Sequence, residues 1–349
     1  MEPGGFDFSR RAFFDGLGAV GYARTPAILV PEAEAAAPML GTAEAGPLTR
    51  AALWLAGERV RIAEALRDAM PGDEGAFVAA IMVGDRAAIG EAEREALRIS
   101  SLAHLLAISG LHMGLLTGLV FTAARMGLAA VPALSLRSPV KKWAAFAAFL
   151  AGAGYLMLSG ATVATQRAFV MVSVMLLAVM LDRPAISLRA LALAAAIILA
   201  IRPVSLFDVG FQMSFAATVA LVAGYEALRA HRPVWPDDGG GAARRGLRIA
   251  AVYVGAVLFT SVLAGAATAP FTAMHFNRVA PWGLVANLGA VPAMGLLIAP
   301  AGIGAALLAP LGLAGPALEV MAAGIGWVLT VARWVAALPG ADRPVSAAW

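Results

Sequence analysis

Two histidines, a serine and two glycines stand inside the apolar run HLLAISGLHMGLL at residues 104–116. Their types and spacing admit three chemistries. A serine beside a histidine could be a nucleophile with its base, two histidines could ligate a metal, and polar groups in an apolar segment could line a wet path. On one continuous helix, where successive residues turn by about 100°, Ser109 and His112 lie one turn apart with His104 on the same broad side. Gly110, Gly114 and Gly118 then form a separate ridge of small residues, suited to close approach by another helix.

Spacing weighs these chemistries differently. His104 and His112 are eight residues apart with no carboxylate nearby, unlike H-E-x-x-H, so neither a metal site nor a cofactor is expected. Ile108-Ser109-Gly110 is similar to the nucleophile surroundings of intramembrane serine proteases, but Ala107 stands where their glycine would be. A Ser–His pair at i and i+3 of one helix tends to point side by side, and no base on a second helix is identifiable. The ordinary alternative is a helix–helix hydrogen bond. A pathway or cavity is favoured because polar groups left unpaired in hydrocarbon are costly.

The elements that hold these residues follow from composition. Of 349 residues, 60% are apolar and 14% charged, and the mean hydropathy is +0.80. That balance excludes an ordinary soluble domain and indicates a polytopic membrane protein. No cysteine is present, so disulfides and thiolate metal sites are unavailable. The opening MEPGGFDFSRR lacks an apolar stretch and is not read as a cleavable signal, which leaves insertion to internal spans. Residues 1–101 hold 10 Lys+Arg and 15 Asp+Glu, net −5, whereas residues 102–349 hold 16 and 7, net +9. The first part has extended-looking runs such as AVGYA and PAILVP, an Ala/Pro/Glu-rich linker at 32–47, and helical periodicity over 48–101. Arg59, Arg61, Glu64, Arg67 and Asp68 are too frequent for a bilayer core, which predicts amphipathic or interfacial helices there.

From Leu102 onward the pattern predicts an all-α polytopic core of about eight transmembrane or re-entrant helices. They fall at 102–124, 143–160, 163–181, 186–201, 206–228, 249–270, 282–309 and 314–338. The fourth is short and the seventh carries Pro292 and Pro300, so either could be broken or re-entrant. One set of alternate loops carries 11 Lys+Arg, among them Lys141, Arg183, Arg232 and Arg245, and the other only Arg167, Arg202, Arg278, Arg333 and Arg343. Positive charge favours the cytoplasm, so residues 1–101 and the C-terminus are expected outside. The polar-pathway candidates within or beside the spans are His104, Ser109, His112, Gln166, Arg167, Asp208, Gln212, Ser214, His275, Asn277, Arg278 and Asn287. For Asp208 and Gln212 the competing role is a buried cap and interhelical bond. For Arg167 and Arg278 it is snorkelling to the outer interface.

Three ordered stretches carry a family resemblance. SSLAHLLAISGLHMGLLTGLVF resembles the signature segment of the ComEC competence family, the inner-membrane channel proteins of bacterial DNA uptake. The block from Gln166 to Ala217, with its LFDVGFQMSF element, looks like the family's central block, and TAPFTAMHFNRVAPWGLVANLGAVP looks like its later one. PGGFDFSRRAFFDGLGAVGYA is similar to the last part of the OB-like domain that precedes the membrane core. The resemblance therefore divides the chain into an OB-like remnant and linker at 1–47, interfacial helices at 48–101 and a competence-type membrane domain at 102–340. The chain stops before the metallo-β-lactamase-like domain of many members, so it is similar to a truncated or minimal one, and nuclease activity is not expected.

The resemblance implies a multi-pass bacterial inner-membrane channel core that passes single-stranded DNA to the cytoplasm in natural transformation, without chemistry of its own. Such a strand carries one negative charge per nucleotide, so its conduit must be wide and wetted. No G-x-x-x-x-G-K-[ST] loop occurs, so energy must come from a partner. The implied partners, besides the strand and membrane lipid, are an external DNA receptor and a cytoplasmic helicase-like motor. An intramembrane hydrolase using Ser109 with His112 or His275 remains open, as does a small-solute transporter, although no inverted repeat of the spans is visible.

Overall fold

The computed structural model describes residues 46–230 and 242–344. The OB-like remnant, nearly all of the linker, and Arg232 of the orientation count lie outside the described residues. Residues up to Glu58 and residues from Arg59 onward form two units. The helices are, in chain order, α1 (Pro47–Ala69), α2 (Asp73–Val83), α3 (Glu91–Ile99), α4 (Ala103–Leu106), α5 (Gly110–Ala129), α6 (Pro132–Arg137), α7 (Val140–Leu158), α8 (Val163–Met180), α9 (Leu188–Ile201), α10 (Val209–Ala230), α11 (Ala242–Phe276), α12 (Gly283–Ala293), α13 (Ala299–Leu308) and α14 (Gly315–Ala336). Two short strands, β1 (Arg278–Val279) and β2 (Arg343–Pro344), pair antiparallel.

The chain is an α-helical polytopic membrane protein. Six described stretches are long and apolar enough to cross a bilayer: Gly110–Ala129, Val163–Met180, Val209–Ala230, Arg244–Phe276, Gly283–Leu311 and Gly315–Ala336. α7 has 19 residues and opens on Lys141 and Lys142. α9 has 14 residues, about 21 Å at 1.5 Å each against a hydrocarbon core of roughly 30 Å. The fourth expected span is therefore short, as its sequence indicated. The seventh is an unbroken helical stretch long enough to cross a bilayer, but it passes from α12 through a π-helical stretch, Met294–Ile298, into α13. Pro300 cannot donate to the carbonyl four residues back and its ring crowds that carbonyl, so a widened turn just before it relieves both.

The expected span 102–124 is not one helix. α4 ends at Leu106, Ala107 is extended (ψ 132°), Ser109 is extended (φ −117°, ψ 177°), and α5 starts at Gly110. The break puts His104 on a different helix from Ser109 and His112.

One apolar core joins α2, α3 and α4 to α12, the π stretch and α14 through Phe77, Leu97, Leu105, Met294, Ile298, Met321 and Val328. α2 departs from the interfacial expectation for 48–101. Its DEGAFVAAIMV has no polar face beyond the first turn, and it is buried on nearly every side. Asp73 and Glu74 complement its positive N-terminal end, and Gly84 (φ 79°) ends it in the left-handed conformation that glycine adopts freely. Arg59 Nε and Nη2 donate to Val83 O at 3.2 and 3.1 Å, and Tyr155 Oη donates to Ile81 O at 2.6 Å. These bonds tie the α2 C-terminus to α1 and α7.

α7 and α8 form a hairpin joined at residues 159–162 and closed at its open end by Lys142–Asp182 (2.7 Å). α5 packs along α7 where Gly152 leaves room, since a Cβ there would meet Thr117 Cγ2 at 3.1 Å and Met113 Sδ at 3.5 Å. α14 similarly lies on the π stretch at Gly324, where a Cβ would meet Ile298 Cγ1 at 2.7 Å.

Candidate polar pathway

Ser109 stands at the α5 N-cap, and His112 is the third helical residue. Each reaches toward the other's backbone in a reciprocal capping arrangement. His112 Nδ1 lies 3.4 Å from Ser109 N and 3.2 Å from Ser109 Oγ. The expected pairing of Ser109 with His112 is therefore present, and its local role is to start a helix inside the protein. His112 is 7% exposed, and its Nε2 is buried without a hydrogen-bond partner. Among the described residues no carboxylate orients the ring through Nε2, as the base of a catalytic triad requires. His104 is exposed, with Nδ1 2.9 Å from Ser101 O, and is near enough to His112 to interact with it electrostatically.

The glycine row is corrected by the structure. A Cβ built on Gly110, Gly114 or Gly118 would meet nothing within 4 Å, so this row packs against no described part of the chain. Helices approach closely instead at other glycines, among them Gly152, Gly224, Gly289 and Gly324.

A second polar group forms where α8 and α10 begin. Thr162 caps α8 and accepts from Thr165 N, while Asp208 accepts from Phe211 N at 3.0 Å at the start of α10. Arg167, with its side chain 11% exposed, reaches Asp208 Oδ1 at 3.5 Å. Gly210 makes room for this pair, because a Cβ there would fall 2.8 Å from Arg167 Nη2. Arg167 Nε is buried without a partner. Gln212 Nε2 donates to Leu206 O at 3.0 Å and Gln166 Nε2 to Ala161 O at 2.7 Å. Ser214 is half-buried on α10, its carbonyl accepting from Thr218 Oγ1.

The remaining candidates disperse. His275 is exposed at the end of α11, and Asn277 (φ 52°) takes the left-handed turn that stops that helix. Arg278 is ion-paired with Asp342 beside the β1–β2 pairing. Asn287, half-buried on α12, has a buried Oδ1 without a partner.

Four buried side-chain atoms thus lack hydrogen bonds among the described residues: His112 Nε2, Arg167 Nε, Ser173 Oγ and Asn287 Oδ1. Three belong to residues singled out by sequence. Ser173 was missed, although a lone serine in AFVMVSVMLL was its signal. No group of three or more His, Cys, Asp or Glu able to hold a metal occurs among the described residues.

A family model described as "Competence protein" matches residues 81–349. ComE operon protein 3 of Bacillus subtilis (strain 168) is 27% identical over 240 residues, covering 68% of this chain and 27% of that protein. The chain thus aligns with about a quarter of that relative's length. No solved structure matches.

Proposed function

The chain belongs to the competence protein family, and from that premise we propose that its helical core is the conduit through which single-stranded DNA crosses the bacterial inner membrane in natural transformation. The observation that carries this reading is the set of four buried, unpartnered polar atoms on α5, α8 and α12. Each would cost about 1–3 kcal/mol if left dry, and polar groups retained inside spans mark pathways for water and charge. The broken start of α5 and the π stretch before α13 agree with it, because non-helical backbone at membrane depth is tolerated beside protein or a wetted cavity.

The charge bias of the loops orients the conduit with its N-terminal segment and C-terminus outside. Entry is then at the end that carries the Arg167–Asp208 and Arg278–Asp342 pairs. The partners in this reading are the strand, an external DNA receptor and a cytoplasmic helicase-like motor that supplies the energy. The Ser109–His112 pair serves the conduit as a cap and a polar lining rather than as a hydrolytic dyad, since among the described residues its histidine has no orienting carboxylate.

The natural absence of cysteine makes the test direct. Single cysteines at His112, Arg167, Ser173 and Asn287 should react with a water-soluble maleimide faster than cysteines at Leu193 or Val262, apolar residues on the outside of the helices that this reading turns to lipid. A single-stranded oligonucleotide should slow the reaction. Reaction no faster than at the lipid-facing positions, or indifference to the strand, contradicts the reading.

A further inference from the structure

Where the end of α5 meets the start of α7, a cavity of about 250 Å³ is lined by Leu128, Ser138, Val140 and Trp143. Leu128 is in the last turn of α5, and Val140 and Trp143 are in the first turn of α7. A 20-residue helix such as α5 rises about 30 Å, the thickness of the hydrocarbon core, so the cavity lies at the level of the lipid headgroups. Its wall is apolar apart from Ser138. Trp143, 57% exposed, stands edge-on to Phe146 with ring centroids 6.5 Å apart. A ring with an apolar body and a polar N–H suits such a boundary.

Cations surround that wall. Arg137 adjoins Ser138, Lys141 adjoins Val140, Arg125 is one turn before Leu128, and all three are exposed. Asp182, just past α8, is held by Lys142 at 2.7 Å, and Lys141 acts on it more weakly. Arg125, Arg137 and Lys141 form no ion pair among the described residues. Positive charge left uncompensated around an apolar cavity at headgroup level fits one molecule with an anionic head and an apolar tail. We propose that an anionic phospholipid docks here, its upper chain against Leu128, Val140 and Trp143 and its phosphate beside Arg137 and Lys141. Ordinary loop charge bias would supply the cations but not the cavity between them. The site does not depend on what crosses the core, so it stands or falls apart from the conduit.

The test uses the purified full chain in phosphatidylcholine nanodiscs that hold a small fraction of chain-brominated lipid, either phosphatidylglycerol or phosphatidylcholine, and reads the quenching of tryptophan fluorescence. The share of quenching lost in Trp143→Phe belongs to Trp143. For that share, brominated phosphatidylglycerol should quench as though enriched several-fold over brominated phosphatidylcholine. Arg137→Gln and Lys141→Gln should each weaken the preference about fivefold. Ser138→Phe keeps every charge but fills the cavity, and should also remove the preference. Arg229→Gln, on α10 and away from the cavity lining, should leave it unchanged.

Equal quenching of Trp143 by the two lipids would overturn the site. So would a preference that survives Ser138→Phe, or one that falls as far with Arg229→Gln as with Lys141→Gln, because either would leave only a general attraction of this charged face for anionic lipid. Loss of the preference on adding soluble glycerophosphate would assign the cations to a free phosphate and overturn the lipid. Should a variant fail to fold, native mass spectrometry of the wild-type chain released from detergent with both lipids gives a second readout. Phosphatidylglycerol adducts should outlast phosphatidylcholine adducts as collision energy rises, and equal retention overturns the proposal.

Discussion

Replacing Gly324 by alanine tests how tightly α14 is seated on the π stretch. The added methyl would lie 2.7 Å from Ile298 Cγ1 and 3.3 Å from Leu297 Cβ. Ile298 is 1% exposed and has little room to retreat. Two effects oppose each other. Alanine is better than glycine inside a helix by about 1 kcal/mol, whereas overpacking a dense interior costs about 1–3 kcal/mol. The clash wins, and a net loss of about 0–2 kcal/mol is expected. At Gly114 the same methyl meets nothing within 4 Å. Only the helix preference remains there, giving a gain of up to about 1 kcal/mol. Thermal unfolding in detergent, followed by the fluorescence of tryptophans such as Trp327, three residues from Gly324, measures both variants. A Gly324→Ala chain as stable as Gly114→Ala would refute the close approach, and a Gly114→Ala chain as damaged as Gly324→Ala would show that the α5 glycines have a neighbour after all.

Reporter fusions at Ala242 and after Trp349 should report opposite sides, the first cytoplasmic and the second outside, and the same side for both would overturn the span count. Asp208→Asn leaves the mostly buried Arg167 with a weaker partner and should cost about 1–3 kcal/mol in thermal stability, while Asp208→Glu should recover part of it; equal stability of all three chains would mean that water already serves Arg167. Asp85 accepts from Ala87 N–H and pairs with Arg67, and these contacts hold its carboxyl below the ordinary carboxylate value. A depressed folded-state pKa contributes stability above the unfolded pKa and loses it as pH falls through the folded one. Wild type should therefore exceed Asp85→Asn by a constant margin at neutral pH and approach it in acid, and a margin that stays unchanged in acid contradicts the assignment.

The membrane class, the spans and the family blocks were legible because long apolar runs and ordered motifs are local properties of the chain. The break at Ala107–Ser109 was not, since HLLAISGLHMGLL contains no proline and its serine and glycines also fit one continuous helix in an apolar run. What ends α4 is the extended backbone at Ala107, and what starts α5 is the Ser109–His112 cap. The i, i+3 spacing was therefore read correctly as a pair but placed on the wrong side of a helix start. Glycine spacing misled for a related reason. Gly110, Gly114 and Gly118 make a regular row that meets no described part of the chain, while Gly152, which continues a row of small residues through Ala144 and Ala148, and Gly324, which has no such row, sit where another helix crosses. Arg278 was legible as a charge beside a span, but its partner Asp342 is 64 residues away, beyond any local pattern. α2 was read with its charged neighbours, although its own eleven residues are apolar beyond Asp73 and Glu74.

Transformation frequency in a strain lacking its own copy tests the conduit most directly, using Ser109→Ala, Ser109→Leu, His112→Asn and His112→Phe at matched membrane expression. If Ser109 and His112 line a wet path, Ser109→Ala is mild, because a small group replaces a small one and water can serve its neighbours. His112→Asn is intermediate. Ser109→Leu and His112→Phe are severe, because they narrow and dry the path of a charged strand. Uptake that falls to background for Ser109→Ala while surviving Ser109→Leu would contradict the account and point to a nucleophile instead.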